Sequence, residues 1–173
     1  TCVIRKNKIV ARGLGLNETS LLAGPPFSLF EVELHVDDEL ATIYRGDGLI
    51  ISTPVGSTAY NMSAGGPIVR KSLEAFIFTP LNPHTLTHRT VIDTASRHYS
   101  LVVPSPNNES SCVVDGRLLV TLQAGDKVQI SRAEPKFCLI ETNQHGYYST
   151  LRDKLAWGGD IQNTSSEISC RDG

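Results

Sequence analysis

Charge of either sign is scarce in excess: 18 Asp and Glu stand against 16 Lys and Arg, a formal net charge of −2. Nothing in that balance provides a broad basic surface for nucleic acid. Long apolar runs are missing as well, since none approaches the ~20 residues of a membrane span. No charged leader with an apolar centre opens the chain. The expectation is a protein that binds neither nucleic acid nor membrane. Cysteine is sparse, with Cys2, Cys112, Cys138 and Cys170 far apart and no C-x-x-C pair, so a zinc site or redox dithiol lacks support. Spacing alone leaves disulfides open; reduced thiols in a cytoplasmic protein are the simpler reading. Two motifs are also absent. Without G-x-x-x-x-G-K-[ST] there is no phosphate-binding P-loop, and without G-x-S-x-G Ser57 lacks a nucleophile elbow.

What is present reads mainly as strand. With 173 residues and 40% hydrophobic content, the chain can fill one well-packed domain or two small ones. Residues 28–48 place Phe30, Val32, Leu34 and Val36 on one face at period two, and Asp37-Asp38 turns into Ala41–Tyr44. A second hairpin is expected at 112–120, where Asp115-Gly116 joins β-branched runs. Residues 2–13, 75–81, 98–104, 127–132 and 136–142 read as further strands. Helical signals are confined to 58–66, stopped by Gly65-Gly66-Pro67, and to 149–157, with Ser149 or Thr150 as cap. From Gly158 onward the sequence is polar and aperiodic, as a disordered tail would be. The fold class expected is mainly β, a sandwich with one or two short helices.

The most informative stretch is GDGLIISTPVGSTAY, residues 46–60. Leu49-Ile50-Ile51 suits a buried strand, Pro54 to Gly56 ends it, and Ser57 or Thr58 would cap a helix near Ala59. Such a corner presents free backbone N–H groups to a ligand, or it is a plain strand–turn–helix corner. Asn17-Glu18 could read an amide edge and sugar hydroxyls, or form a solvated turn. Asp47, between two glycines, is open to the same two readings. His84 and His88 are four apart, but Pro83 and the Thr-rich stretch around them favour ordinary loop histidines over metal ligands. The lone Gly13-Leu14-Gly15 reads as a strand irregularity.

Taken in order, LNE, RGDGLIISTPVGSTAYNMSAGGPIV, VVDGR and KLAWGG resemble the carboxy-terminal half of the NAD kinase family, from about Val10 to Gly159. That resemblance implies a β-sandwich domain over 1–159, with 160–173 as the tail. It further implies phosphorylation of the adenosine 2′-hydroxyl of NAD to give NADP. By family pattern, Asn17 and Glu18 contact the adenosine part of NAD, and Arg45 and Asp47 lie beside the nicotinamide end across a subunit interface. Thr58, Ala59, Tyr60, Asn61, Met62 and Ser63 line the adenine pocket, and Arg117 is a further candidate contact. The implied partners are NAD, with ATP or polyphosphate as donor and Mg²⁺ or another divalent metal, in a homodimer or homotetramer.

Two departures from the family pattern stand out. Val55 occupies a slot usually filled by Thr or Ser, which removes a hydroxyl worth about 1 kcal/mol if it met the adenine. More important, the family's GGDGT motif, whose aspartate is the base for the 2′-hydroxyl, occurs nowhere in the chain. With Thr1 as first residue, a carboxy-terminal fragment is expected, with no catalytic residue of its own. A non-catalytic NAD(P)-binding or assembly module is the alternative. A kinase for lipid acceptors is disfavoured by the NE and STPVGSTAY signatures.

Overall fold

Two antiparallel six-stranded sheets form in the computed structural model, which describes residues 1–25, 29–85, 87–138, 140, 146–155 and 157. One sheet contains β1 (Cys2–Arg5), β2 (Lys8–Arg12), β4 (Phe30–Val36), β5 (Glu39–Gly46), β9 (Tyr99–Val102) and β12 (Lys127–Ile130), in the order β2-β1-β12-β9-β4-β5. The other contains β3 (Glu18–Leu22), β6 (Gly48–Ser52), β7 (Ala75–Leu81), β8 (Val91–Thr94), β10 (Ser111–Val114) and β11 (Arg117–Thr121), in the order β11-β10-β3-β6-β7-β8. Their facing sides make one core: Val3, Val32, Leu34, Leu101 and Val128 from the first, Leu21, Leu49, Ile51, Phe78 and Cys112 from the second. The β-sandwich expectation holds.

Three hairpins close through two-residue turns whose residues both have positive φ: Lys6-Asn7, Asp37-Asp38 and Asp115-Gly116. This left-handed geometry matches the twist of paired strands, which is why Asn, Asp and Gly dominate it. The second and third turns are those the sequence indicates. The first divides residues 2–13 into two strands, because Lys6 takes up a left-handed conformation that its side chain does not advertise.

Other expectations need correction. Strands β3 and β8 carry no sequence signal of their own, since Glu-Thr-Ser-Leu-Leu and Val-Ile-Asp-Thr do not alternate. Lys136, Phe137, Cys138 and Ile140 belong to no strand, while Leu139 and residues 141–142 of that expected strand lie outside the described residues. The tail expected from Gly158 onward also lies outside them.

Residues 1–136 and 137–173 form separate compact units. In the second, α2 (Tyr147–Leu155) begins two residues before its expected cap. Ser149 and Thr150 therefore sit in the first turn, where both hydroxyls donate to the Gly146 carbonyl. No helix among the described residues is long and apolar enough to cross a membrane.

Candidate functional site

Strand β6 is buried along its whole length, which accounts for its unbroken apolar run. Leu49 and Ile51 face the core. By alternation Ile50 and Ser52 face the other way, and both are fully enclosed. The cover on that outer face is the segment after Pro54: a 3₁₀ turn, Gly56–Thr58, followed by one helical turn, α1 (Tyr60–Ser63). Ser57 and Thr58 do not cap α1, contrary to expectation; its N-cap is Ala59, with no side-chain bond. The Ser57 hydroxyl is used elsewhere, donating to the Pro54 carbonyl at 2.7 Å and accepting from the Val69 N–H at 3.0 Å. Val55 precedes the 3₁₀ turn and likewise makes no side-chain cap bond.

Asn61 holds this segment down. Its amide nitrogen donates to the carbonyls of Ser57 and Pro67, both at 3.0 Å, and its oxygen accepts from the β7 hydroxyl of Thr79 at 2.7 Å. Both amide atoms are thus engaged inside the protein. Thr58, Tyr60, Met62 and Ser63 are exposed around it, with Ala59 half-buried. These are the small polar and aromatic surfaces a planar ligand could meet.

Asn17 and Glu18 lie against the same corner. The Thr53 N–H donates to the Asn17 carbonyl at 2.8 Å, and the Thr53 hydroxyl donates to the Leu16 carbonyl at 2.6 Å. Gly56 is required by the approach: a Cβ there would stand 2.1 Å from the Asn17 carbonyl oxygen. Glu18 pairs with Ser52 in the β3–β6 ladder, so its side chain shares the outer face with the Gly56–Ser63 segment. Only 8% of Glu18 is exposed, and its Oε2 is buried with no hydrogen-bond partner among the described residues. Burial, followed by the nearby Asp115 carboxylate, pushes the Glu18 carboxyl up from its ordinary range. A buried carboxylate oxygen that nothing satisfies is costly unless something else meets it.

The hairpin turn contributes a residue that the sequence displays as turn chemistry alone. Asp115 accepts the N–H groups of Leu16, Asn17 and Glu18 at 2.7, 2.8 and 3.0 Å. Its Asp-Gly dipeptide signals the turn, but no local pattern signals a carboxylate reaching across to β3. Arg117 is exposed at the start of β11.

Arg45 and Asp47 are not brought to this corner. They lie at the opposite end of β6, separated from Ser52 by the strand, roughly 17 Å at ~3.3 Å per residue. The Asn82 amide donates to Asp47 Oδ2 at 2.7 Å, and Arg45 pairs with Glu31 on β4. His84 and His88 are not on a helix; His88 Nδ1 lies 2.9 Å from the Thr85 hydroxyl and the ring packs edge-on to Tyr44. Among the described residues no three His, Cys, Asp or Glu side chains converge as metal ligands. Two open concavities, of about 810 and 330 Å³, lie elsewhere: one borders Asp37, Arg97 and Gln129, the other Leu34, Tyr44 and His88.

Residues 16–142 match the family described as ATP-NAD kinase C-terminal domain. Over 159 residues the chain is 48% identical to an NAD kinase of Rhodopirellula baltica, covering 92% of this chain and 51% of the relative. With an NAD kinase of Colwellia psychrerythraea it shares 40% identity over 162 residues, covering 92% and 55%. Among solved structures, yeast NADH kinase complexed with NADH superposes with a TM-score of 0.81 at 25% identity, covering 94% of this chain and 50% of that one. An NAD kinase from Archaeoglobus fulgidus in complex with ATP gives 0.62 at 29% identity, covering 77% and 50%. The chain spans about half the length of the relatives it matches.

Proposed function

The chain belongs to the NAD kinase family, as its carboxy-terminal domain, and on that premise we propose that it supplies the dinucleotide-binding half of an enzyme that phosphorylates NAD to NADP. The observation that carries this reading is the buried Oε2 of Glu18, without a hydrogen-bond partner among the described residues, beside the Gly56–Ser63 corner. A sugar hydroxyl donating to that oxygen would satisfy it, and the neighbouring Asn17 amide can both donate and accept. Thr58, Ala59, Tyr60, Met62 and Ser63 offer the surface for the adenine, with Asn61 fixing the segment from beneath. Arg117, exposed at the start of β11, is a further candidate contact. Arg45 and Asp47 are too far along β6 to share that contact, so they serve the nicotinamide end in a site completed by a second copy, in a dimer or tetramer.

The family's reaction passes the terminal phosphate of ATP to the adenosine 2′-hydroxyl, with a divalent metal on the donor phosphates. No cage for that metal exists among the described residues, and no P-loop or GGDG motif occurs in the sequence. In this reading the chain's residues act by orienting the acceptor, a contribution that brings the reacting groups together. The yeast kinase with NADH bound and the Archaeoglobus kinase with ATP bound support both ligands for the family.

The test compares NAD binding with NADP formation. Isothermal titration of the chain with NAD is expected to show binding. Incubation with NAD, ATP and Mg²⁺ is expected to yield no NADP, whereas a full-length relative treated alike produces it. NADP formed by the chain alone would mean that a residue here replaces the missing aspartate.

A further inference from the structure

A two-residue hairpin turn needs only residues that tolerate positive φ, and Asn-Gly or Gly-Gly would close β10 to β11 as well as Asp115-Gly116 does. The carboxylate at this turn does something else. Its Oδ2 accepts the Leu16 N–H, and its Oδ1 accepts both the Asn17 and Glu18 N–H groups. In return the Asp115 N–H donates to the Glu18 carbonyl at 3.0 Å. Three successive amides converging on one anion form a nest of the kind that elsewhere cradles phosphate. Here the nest is filled from within the chain.

This arrangement carries an electrostatic cost. The negative charge stands close to Glu18, whose own carboxylate is buried and incompletely satisfied. Charge-assisted bonds to backbone N–H groups are among the stronger ones available, and three together fix the short segment that leads into β3.

We propose that Asp115 is a positioning residue of the dinucleotide site, holding the Leu16–Glu18 backbone so that Asn17 and Glu18 are presented to the ligand beside Gly56–Ser63. The assignment rests on the dinucleotide-site reading under Proposed function and adds a residue to it. Asp115 itself touches no ligand; it acts through the segment it holds.

The experiment uses the whole chain and three forms of it: wild type, Asp115→Asn and Asp115→Gly. Both substitutes tolerate the turn's left-handed φ, so the hairpin still closes. Asn keeps one acceptor oxygen for the Asn17 and Glu18 amides, and Gly keeps none. Hydrogen exchange of the free chain is expected to speed up at Leu16, Asn17 and Glu18 in the Gly form, while Ser20 and Leu21 on β3 stay protected. NAD affinity is expected to fall about tenfold or more in the Gly form, with Asn recovering part of the loss.

A third readout reports whether the Asp115 charge acts on Glu18. Glu18 is flanked by the uncharged Ser52 at the end of β6, with Thr53 following it, and by Asp115 from the turn, the one charge that acts on it among the described residues. Its carboxyl, followed by carbon-13 NMR, should therefore titrate lower in both variants than in wild type, because a like charge has gone. Unchanged NAD affinity in the Gly form, with exchange at 16–18 accelerated, would overturn the proposal by showing that the fixed backbone is irrelevant to the ligand. Unchanged exchange would overturn it by showing that the carboxylate fixes nothing. A wild-type chain that fails to bind NAD would sink the site reading and the proposed role with it, and the exchange data would still report whether the clamp exists.

Discussion

Glu18 shows how a single residue can be set against the stability of its own fold. Burial first, then the Asp115 charge, raises its carboxyl in the folded chain, so the folded state holds the proton more tightly than the unfolded state does. Stability from this group is therefore fully present below the unfolded value of about 4.3 and is lost as pH rises through the raised folded value. A charge on this buried carboxyl, set beside Asp115, works against the fold in the absence of ligand. Glu18→Gln keeps the shape and removes the charge. Urea denaturation at pH 7 should find the variant more stable, because Gln removes the buried charge and its repulsion with Asp115. Its stability should also vary less between pH 4 and neutrality, and NAD titration should show weakened binding. A variant that is no more stable, yet binds NAD normally, would remove Glu18 from the site.

Among the elements, β1 and β12 are joined by a pair of the opposite sign of effect. Arg5 at the end of β1 forks onto Asp126 just before β12, with Nε to Oδ1 at 2.8 Å and the terminal nitrogen to Oδ2 at 2.7 Å. The same arginine donates to the Thr121 carbonyl at the end of β11, and the Gln123 N–H donates to Asp126. Burial alone would raise the Asp126 carboxyl, but the arginine and the Gln123 amide outweigh it and hold it below the usual carboxylate range. Its stabilisation is therefore present above the unfolded value near 3.9 and disappears as pH falls through the lower folded value. Asp126→Asn should be less stable than wild type at pH 7, and acid titration followed by circular dichroism should show the two converging below about pH 4. A constant gap across that range would contradict this account. Neither partner is visible as such in the sequence, because 121 positions separate them. What the sequence displays is local: the hairpins at Asp37-Asp38 and Asp115-Gly116, the strand at 75–81, and the β6 run. What it hides is either conformational, as at Lys6-Asn7, or set by distant partners, as in β3, whose Glu-Thr-Ser start gains strand geometry only between β10 and β6. The candidate site divides in the same way. Asn17, Glu18 and the Gly56–Ser63 segment are legible as family motifs, whereas the Asp115 clamp requires the sheet.

For the whole molecule, Cys112 offers a probe of how the two sheets open. It lies on β10 between Leu21 of β3 and Val120 of β11, faces the common core and is fully buried. Burial pushes its thiol up to about 12, so almost no reactive thiolate exists near neutral pH. Alkylation at Cys112, followed by mass spectrometry, should be negligible in native buffer and should rise with urea in step with global unfolding. Rapid labelling under native conditions would instead mean that the β10–β11 edge opens by itself. The same sandwich makes β6 a spacer of fixed span, with Asp47 before one end and Ser52 at the other. Exchange of one apolar residue for another within it leaves that span intact. Insertion or loss of a single residue does not: it would turn every later side chain to the opposite face, and even two would shift one end by ~7 Å. Inheritance can therefore rewrite the letters of this strand far more freely than it can change their number.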